Sequence, residues 1–522
     1  MSSQPYYITT AIDYVNSRPH LGTAYEKICA DAIARFRRLE GDDVLFLMGN
    51  DEHSLKVEIA AREKGLSALE HCDQMEVEFQ KAWAALDVEF DDFIRTTEDR
   101  HKATVREIIG RIHAAGDIRK DKYKGWYCAG CEAFKNEGDL EEVEAKGGKP
   151  SQRCPEHPGS ELTWLEESNY FFNLSKYNGF LLEHYENNPD FVQPVVRRNE
   201  MLELLRSGLH DISISRESAN WGIPLPFDED AVIYVWFDAL INYVSATGWP
   251  ENQPKYERYW PADLHLIGKD ITRFHCVIWP AMLASAGLPL PKKIFGHGFV
   301  NMGKNRMSKT MGTRVDPIEL SEQFGVDALR YYLMAETSFG RDLEYTAERL
   351  VVRSNAELAN GLGNLVSRTI SMIVKYRDGL VPDPSANEPS LIADAAENAR
   401  KALRISMATL DLKGAIEGAM SIVDRANLLV DQEAPWALAK DESKKDRLDR
   451  VLYDLAEACR IASVLLHPFM PRKMAEIRKV LKSEIDASAL RLSDADFGLL
   501  KPGTQLEKIS PVFPRLELEE AD

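Results

Sequence analysis

Three short stretches hold residue types that can do chemistry, and they lie far apart: His20-Leu21-Gly22-Thr23, Asp51-Glu52-His53 and Arg306-Met307-Ser308-Lys309-Thr310. The first falls where an apolar strand-like run, residues 6–11, turns into a helix-like run, residues 25–38. A strand-to-helix turn presents free backbone N–H groups and the positive end of a helix to a phosphate. A histidine there can donate to a phosphate oxygen as negative charge grows on it. A glycine beside it lets a flat ring lie against the backbone. The third stretch sits in a Gly/Lys/Asn-rich loop after another apolar run, residues 294–300, and Lys309 is a point charge suited to a β- or γ-phosphate. A basic loop flanked by glycines can close over the same phosphate. Asp51 is a natural partner for an ammonium group.

Two further sets stand out. Cys128-Ala129-Gly130-Cys131 and Cys154-Pro155-Glu156-His157 are two pairs of close ligands, separated by residues 132–153. Together they can complete a closed, tetrahedral Cys₃His site for one structural Zn²⁺. Asn360, Asn364 and Arg368 are spaced i, i+4, i+8, so one helix would carry them as a single polar stripe, with Leu358, Leu362, Leu365 and Thr369 on other faces. Amides read base edges, arginine reads guanine or phosphate, and an aromatic such as Trp436 can stack an unstacked base.

The elements that must position these residues are legible as patterns. Residues 6–11 and 43–48 read as buried strands and residues 25–40 and 55–63 as helices, an alternation that predicts a parallel α/β sheet. From residue 120 to about 230 the character changes to cysteines, glycines and charges, and the aromatic content of residues 164–174 suggests a strand-rich insertion. The α/β pattern resumes with residues 231–237 and 263–267 and continues through 294–300. From about 347 to 481 nearly everything fits a 3.6-residue apolar period, which predicts a helical bundle, with Pro382-Asp383-Pro384 as an interhelical loop.

In this order and at this separation, the first and third stretches resemble the two signatures of the class I aminoacyl-tRNA synthetases. Ala11-Ile12-Asp13-Tyr14, Gly49 to His53, Tyr234 to Ala239, and Ile271 with His275 resemble the substrate pocket of the methionyl-tRNA synthetases. The resemblance covers about residues 6–514. It implies a doubly wound, Rossmann-like parallel catalytic sheet, a zinc-knuckle connective insertion and a C-terminal helical bundle. The expected segments are 1–118 and 231–310 for the two catalytic halves, 119–230 for the insertion, 311–350 for a stem-contact linker and 351–522 for an anticodon-binding domain and tail.

The same resemblance implies a reaction: methionine and ATP·Mg²⁺ give methionyl-adenylate and pyrophosphate, then the methionyl group passes to the 3′ end of tRNA(Met). It assigns His20, Thr23 and Lys309 to catalysis, and His20, Gly22, His297, Arg306, Ser308 and Lys309 to ATP. It assigns Ile12, Tyr14, Asp51, Trp236, Ala239, Tyr243, Ile271 and His275 to methionine, and Asn360, Asn364, Arg368 and Trp436 to the anticodon. An aromatic-lined slot suits a polarizable thioether. The chain departs from the family at Thr23, where a second histidine is usual. Arg306 and Thr310 stand for lysine and serine, and Asp13 and Leu240 for prolines.

Composition narrows the alternatives. At 522 residues, with 44% hydrophobic residues, the chain should fold as about three domains of a globular protein. No apolar run approaches the roughly 20 residues that span a bilayer, and residues 1–5 lack signal-peptide character. Seven cysteines are too few for a disulfide scaffold, so a reducing, cytoplasmic setting is expected. A formal net charge of −19 excludes indiscriminate nucleic-acid coating but not a local basic track for tRNA. A synthetase for leucine, valine or isoleucine would carry a larger editing insertion, and a tRNA-binding protein without catalysis would not need His20, Asp51 and Lys309. Nothing after Asp522 adds a dimerisation domain, so a monomer is expected.

Overall fold

The computed structural model describes all residues except 1–2, 129–132, 136–137, 139, 145–149, 156–161, 217–220, 303–304, 307–314, 385–387 and 519–522. Its centre is a parallel sheet in the order Val192–Gln193, Ile294–His297, Leu264–Gly268, Pro5–Thr10, Asp43–Asp51; Asp13–Tyr14 and Asp92–Arg95 both pair with Asp43–Asp51. Ile8 lies opposite both Leu264 and Phe46. Strand residues go alternately to two cores. Ile8, Phe46 and Met48 pack with helix Leu21–Glu40, while Tyr7, Leu45 and Leu47 pack with helices Asp99–Ala114 and Trp279–Ala286. A sheet covered on both faces has no polar side to show, which is why these strands read as continuous apolar runs.

The short strand Val192–Gln193 comes from within residues 119–230 and pairs with Ile294–Phe295, so part of that stretch belongs to the central sheet. Before it, Ile118–Cys128 runs antiparallel to Leu162–Phe172, with Ala133–Lys135 and Ile212–Ser213 on the outer edges. A separate ribbon pairs Glu141–Glu144 with Pro150–Arg153.

Three elements differ from the sequence reading. Residues 231–237 are not one strand of the parallel sheet: Asp228–Ile233 belongs to a small antiparallel sheet, and Val235–Ala239 is a short helix. The apolar run 294–300 is two strands, Ile294–His297 in the central sheet and Val300–Met302 in another. Apolar content alone does not tell a strand from a buried helical turn. The helical half forms as expected from Ala347–Arg353 to Pro471–Val480, but Ser354–Gly363 is a π-helix rather than an α-helix.

The halves are joined through Arg330, which is fully buried. Its guanidinium donates to Asp31 on helix Leu21–Glu40 (2.5 Å), to the carbonyls of Leu86 and Asp87, and to those of Pro468 and Phe469 in the helical half. Among the described residues no helix is long and apolar enough to cross a membrane.

Candidate active site and helical stripe

His20 caps helix Leu21–Glu40. Its Nδ1 accepts from the backbone N–H groups of Gly22 (3.1 Å) and Thr23 (3.3 Å). Nδ1 is therefore the acceptor nitrogen, and the ring proton of the neutral form sits on Nε2, where it can be donated. Gly22 has to be small here, because a Cβ would stand 3.0 Å from the His20 ring. The Leu21 N–H donates to the carbonyl of Val315 (3.2 Å). Residues 307–314 fall, in sequence, between strand Asn305–Arg306 and this Val315. Ser308 and Lys309 lie outside the described residues, as does the Arg306 side chain.

Asp51 ends its strand, buried, in register with Tyr14. Gly49 lets the strands close beside it: a Cβ there would meet the Ile94 carbonyl oxygen at 2.2 Å and the Ile12 side chain at 2.9 Å. Trp236 stacks on Phe274 at 3.9 Å and meets Tyr14 and His275 edge-on at 6.5 and 6.4 Å. The His275 Nδ1–H donates to the Ile271 carbonyl (3.0 Å), so Nε2 accepts from the Tyr243 hydroxyl (2.7 Å). Burial holds the imidazole neutral, with its pKa lowered to about 4, and pushes the Tyr243 phenol well up. Ala239 is buried on the same short helix as Trp236, and Ile271 is half-buried one turn before His275. Direct contacts thus join Tyr14, Trp236, His275, Tyr243 and Ile271, with Asp51 in register with Tyr14, Ile12 near Gly49 and Ala239 on the helix of Trp236.

Several partners in this neighbourhood, His101, Arg95, Trp221, Glu26 and Lys27, had not been singled out. The His53 Nδ1–H (2.7 Å) and the His101 Nε2–H (2.6 Å) both donate to the Asp238 carboxylate. Burial would raise that carboxyl, but the two histidines outweigh it and hold it at about 2. Glu52 takes Arg95 at 2.6 Å, and its carbonyl accepts from the Trp221 indole at 2.6 Å. Glu26 accepts from Lys27 and from His297, at 2.7 and 2.9 Å. Burial would raise the Glu26 carboxyl too, yet Lys27 and His297 keep it below the usual range. The available signal was a charged pair, Glu26-Lys27, inside a helix buried on most sides.

In the helical half, Arg368 and Trp436 line one cavity of about 290 Å³ together with Ser367, Ser371, Met372 and Tyr376. Asn360 and Asn364 are exposed on the same helical run and do not line it; Asn360 accepts from Arg515 at 3.1 Å. A larger open cavity, about 620 Å³, lies away from the slot beside Arg18, Lys64 and Glu78.

The chain matches the family model for tRNA synthetases class I (M) over residues 6–370. It belongs to that family. It is 45% identical to the methionine–tRNA ligase of Caldanaerobacter subterraneus over 98% of this chain and 79% of that one. It is 44% identical to that of Brucella suis over 99% and 98%. The Mycobacterium tuberculosis methionyl-tRNA synthetase, solved in complex with methionyl-adenylate, superposes with a TM-score of 0.91 at 43% identity, covering 98% of this chain and all of that one. For a class I (M) synthetase, two departures have a local account. Asp13 is an ion-pair partner of Lys27 (3.1 Å), and Leu240 donates its N–H to the Trp236 carbonyl (3.3 Å), a bond proline could not make.

Proposed function

We propose that this chain is an ATP-dependent methionine–tRNA ligase working through the slot between Asp51, Trp236, Tyr243 and His275. The observation that carries the reading is the join: a buried carboxylate, a low-polarity aromatic slot and a capped helix start meet at the carboxyl ends of parallel strands, where open α/β sheets bind ligands. Asp51 takes the substrate ammonium. Trp236, Tyr14 and Ile12 wall the side chain, and the neutral Tyr243–His275 pair faces the thioether without placing a charge there. The substrate carboxylate attacks the α-phosphate of ATP in line and pyrophosphate leaves; Mg²⁺ would supply charge neutralisation on the phosphates. His20 donates from Nε2 to the α-phosphate as charge grows, helped by the helix end. Thr23 contributes through its backbone, Gly22 keeps the cap compact, and His297, held by Glu26, stands on the nucleotide side. Arg306, Ser308 and Lys309 close over the β- and γ-phosphates. Positioning and charge stabilisation account for most of the rate. The terminal ribose hydroxyl of tRNA then attacks the activated carbonyl, while Arg368, Trp436, Asn360 and Asn364 hold the anticodon.

Labelled methionine, ATP and tRNA(Met) should give acid-precipitable methionyl-tRNA. No charging by a preparation that binds methionine and ATP would sink the ligase reading.

Zinc belongs to the same reading. Cys128, which ends strand Ile118–Cys128, and Cys154, which follows strand Pro150–Arg153, are both buried; Cys131 and His157 lie outside the described residues. Two buried thiols at this spacing fit a structural Cys₃His site, which takes no part in the chemistry. Metal analysis should find about one equivalent of zinc. A folded, active preparation free of tightly bound metal would refute the site.

A further inference from the structure

Lys27 is a cation with almost no way out. Its side chain is 1% exposed, and its three ammonium hydrogens face three acceptors: the Ala11 carbonyl at 2.6 Å, Glu26 Oε1 at 2.7 Å and Asp13 Oδ2 at 3.1 Å. A lysine ammonium has three N–H groups, so this set satisfies it. It cannot also bind a phosphate or a substrate carboxylate, although it lies one helical turn after Thr23. What it does instead is mechanical. Ala11 and Asp13 flank Ile12 and precede Tyr14, two walls of the slot. Lys27 and Glu26 lie on the helix that starts at His20, and Glu26 holds His297 through its other oxygen at 2.9 Å.

We infer that Lys27 is a positioning residue for the amino-acid substrate: it draws the 11–14 segment, which ends in strand Asp13–Tyr14, onto helix Leu21–Glu40 and so sets where Ile12 and Tyr14 stand in the slot. This rests on the reading of the slot as the methionine site. The ion pair with Asp13 makes the device specific. Lys27 compensates two carboxylates at once, and removing it alone takes an ammonium partner from both, one of them deeply buried. Breaking a buried pair from one side is far more damaging than removing both partners. The pair should therefore behave as a unit, with the segment relaxing outward when Lys27 is lost and settling back when Asp13 is lost as well.

The test is a double-mutant cycle read by methionine binding. Isothermal titration of the full chain with methionine alone gives Kd for the wild type, Lys27→Met, Asp13→Ala and the double variant. Pyrophosphate exchange gives KM for methionine and for ATP on the same proteins. Loss of hydrogen bonds from a charged group should weaken methionine binding by roughly tenfold or more in Lys27→Met, with KM for ATP changed much less. The double variant should recover the part of that loss that comes from Asp13, Glu26 still lacking Lys27 there. Asp13→Asn, which keeps the shape of the side chain, should show the same direction more weakly, and it carries the test if Lys27→Met does not fold. Equal shifts in both KM values, or a lower melting temperature with unchanged methionine affinity, would overturn the inference and leave Lys27 a plain structural residue. Strictly additive losses in the cycle would overturn it too. A wild-type protein that does not bind methionine would instead remove the functional reading beneath it.

Discussion

Single residues decide the chemistry of the slot, and Tyr243 with His275 is the clearest pair. Because Nδ1 is committed to the Ile271 carbonyl, His275 can accept from Tyr243 only while Nε2 is unprotonated. The folded imidazole titrates at about 4, against an ordinary value of 6.5. A lowered histidine pKa means the unfolded chain binds the proton first. The pair's contribution is therefore full above pH 6.5 and is lost as pH falls from 6.5 towards 4, by up to about 3 kcal/mol. His467, buried and lowered to about 3, adds a loss of the same sign. Thermal melts from pH 7.5 to 4 should show this decline, and Tyr243→Phe should shift its lower limb; a melting temperature flat across that range would contradict the assignment. The slot's shape also predicts selectivity. Norleucine lacks only the sulfur, a contact worth on the order of 1 kcal/mol, so it should lose roughly tenfold or less against methionine. Leucine activated as well as methionine would show that another residue set binds the substrate.

Elements explain what could and could not be read beforehand. Helix Leu21–Glu40 was legible as a helix-like run after a strand-like one, read from residue 25 rather than from Leu21. Its capping histidine was not legible as a tautomer, because that depends on two backbone N–H groups placed by the fold. Gly22→Ala should push the His20 ring, cost the cap about 1 kcal/mol and slow adenylate formation more than it weakens methionine binding. Parallel losses in the two would mean the glycine serves the fold alone. The 231–237 run misled because a buried helical turn and a strand share the same apolar residues, and only the pairing of Asp228–Ile233 with Pro224–Leu225 and Ser215–Arg216 separates them. Trp236 accordingly lies on the short helix Val235–Ala239 and not on a strand. The polar stripe was half legible: i, i+4 spacing found Arg368, but Ser371, Met372 and Tyr376 became visible only when Trp436 closed a cavity with them. Trp436→Ala removes a stacking surface worth roughly 1–3 kcal/mol. Charging of tRNA should fall about ten- to a hundredfold, with pyrophosphate exchange near normal, and unchanged charging would return the stripe to an ordinary solvated face.

At the scale of the whole molecule, helix Leu21–Glu40 is held at its middle, Asp31, and at its last residue, Glu40, with Asp87 beside it. Arg330 bonds Asp31 and four carbonyls, Arg472 pairs with Asp87 at 2.7 Å, and Arg404 pairs with Glu40 at 2.8 Å. The two outer pairs are largely exposed and contribute little. The inner one is fully buried; Asp31 keeps Arg35 at 2.8 Å and the Glu89 N–H, but four carbonyls lose their donor, so Arg330→Met should destabilise by about 1–3 kcal/mol. Chemical unfolding measures this, and a loss under about 1 kcal/mol would show that the halves are held by apolar packing instead. None of this long-range pairing was legible, because Asp31 and Arg330 lie 299 residues apart and each reads alone as an ordinary surface charge. The central claim for the whole molecule is that this slot activates methionine. The direct measurement is ATP–pyrophosphate exchange run with each of the twenty amino acids in turn. Exchange driven by methionine far above every other amino acid, and abolished by Asp51→Ala, is the predicted result. Exchange driven equally by another amino acid, or surviving Asp51→Ala at the wild-type rate, would contradict it.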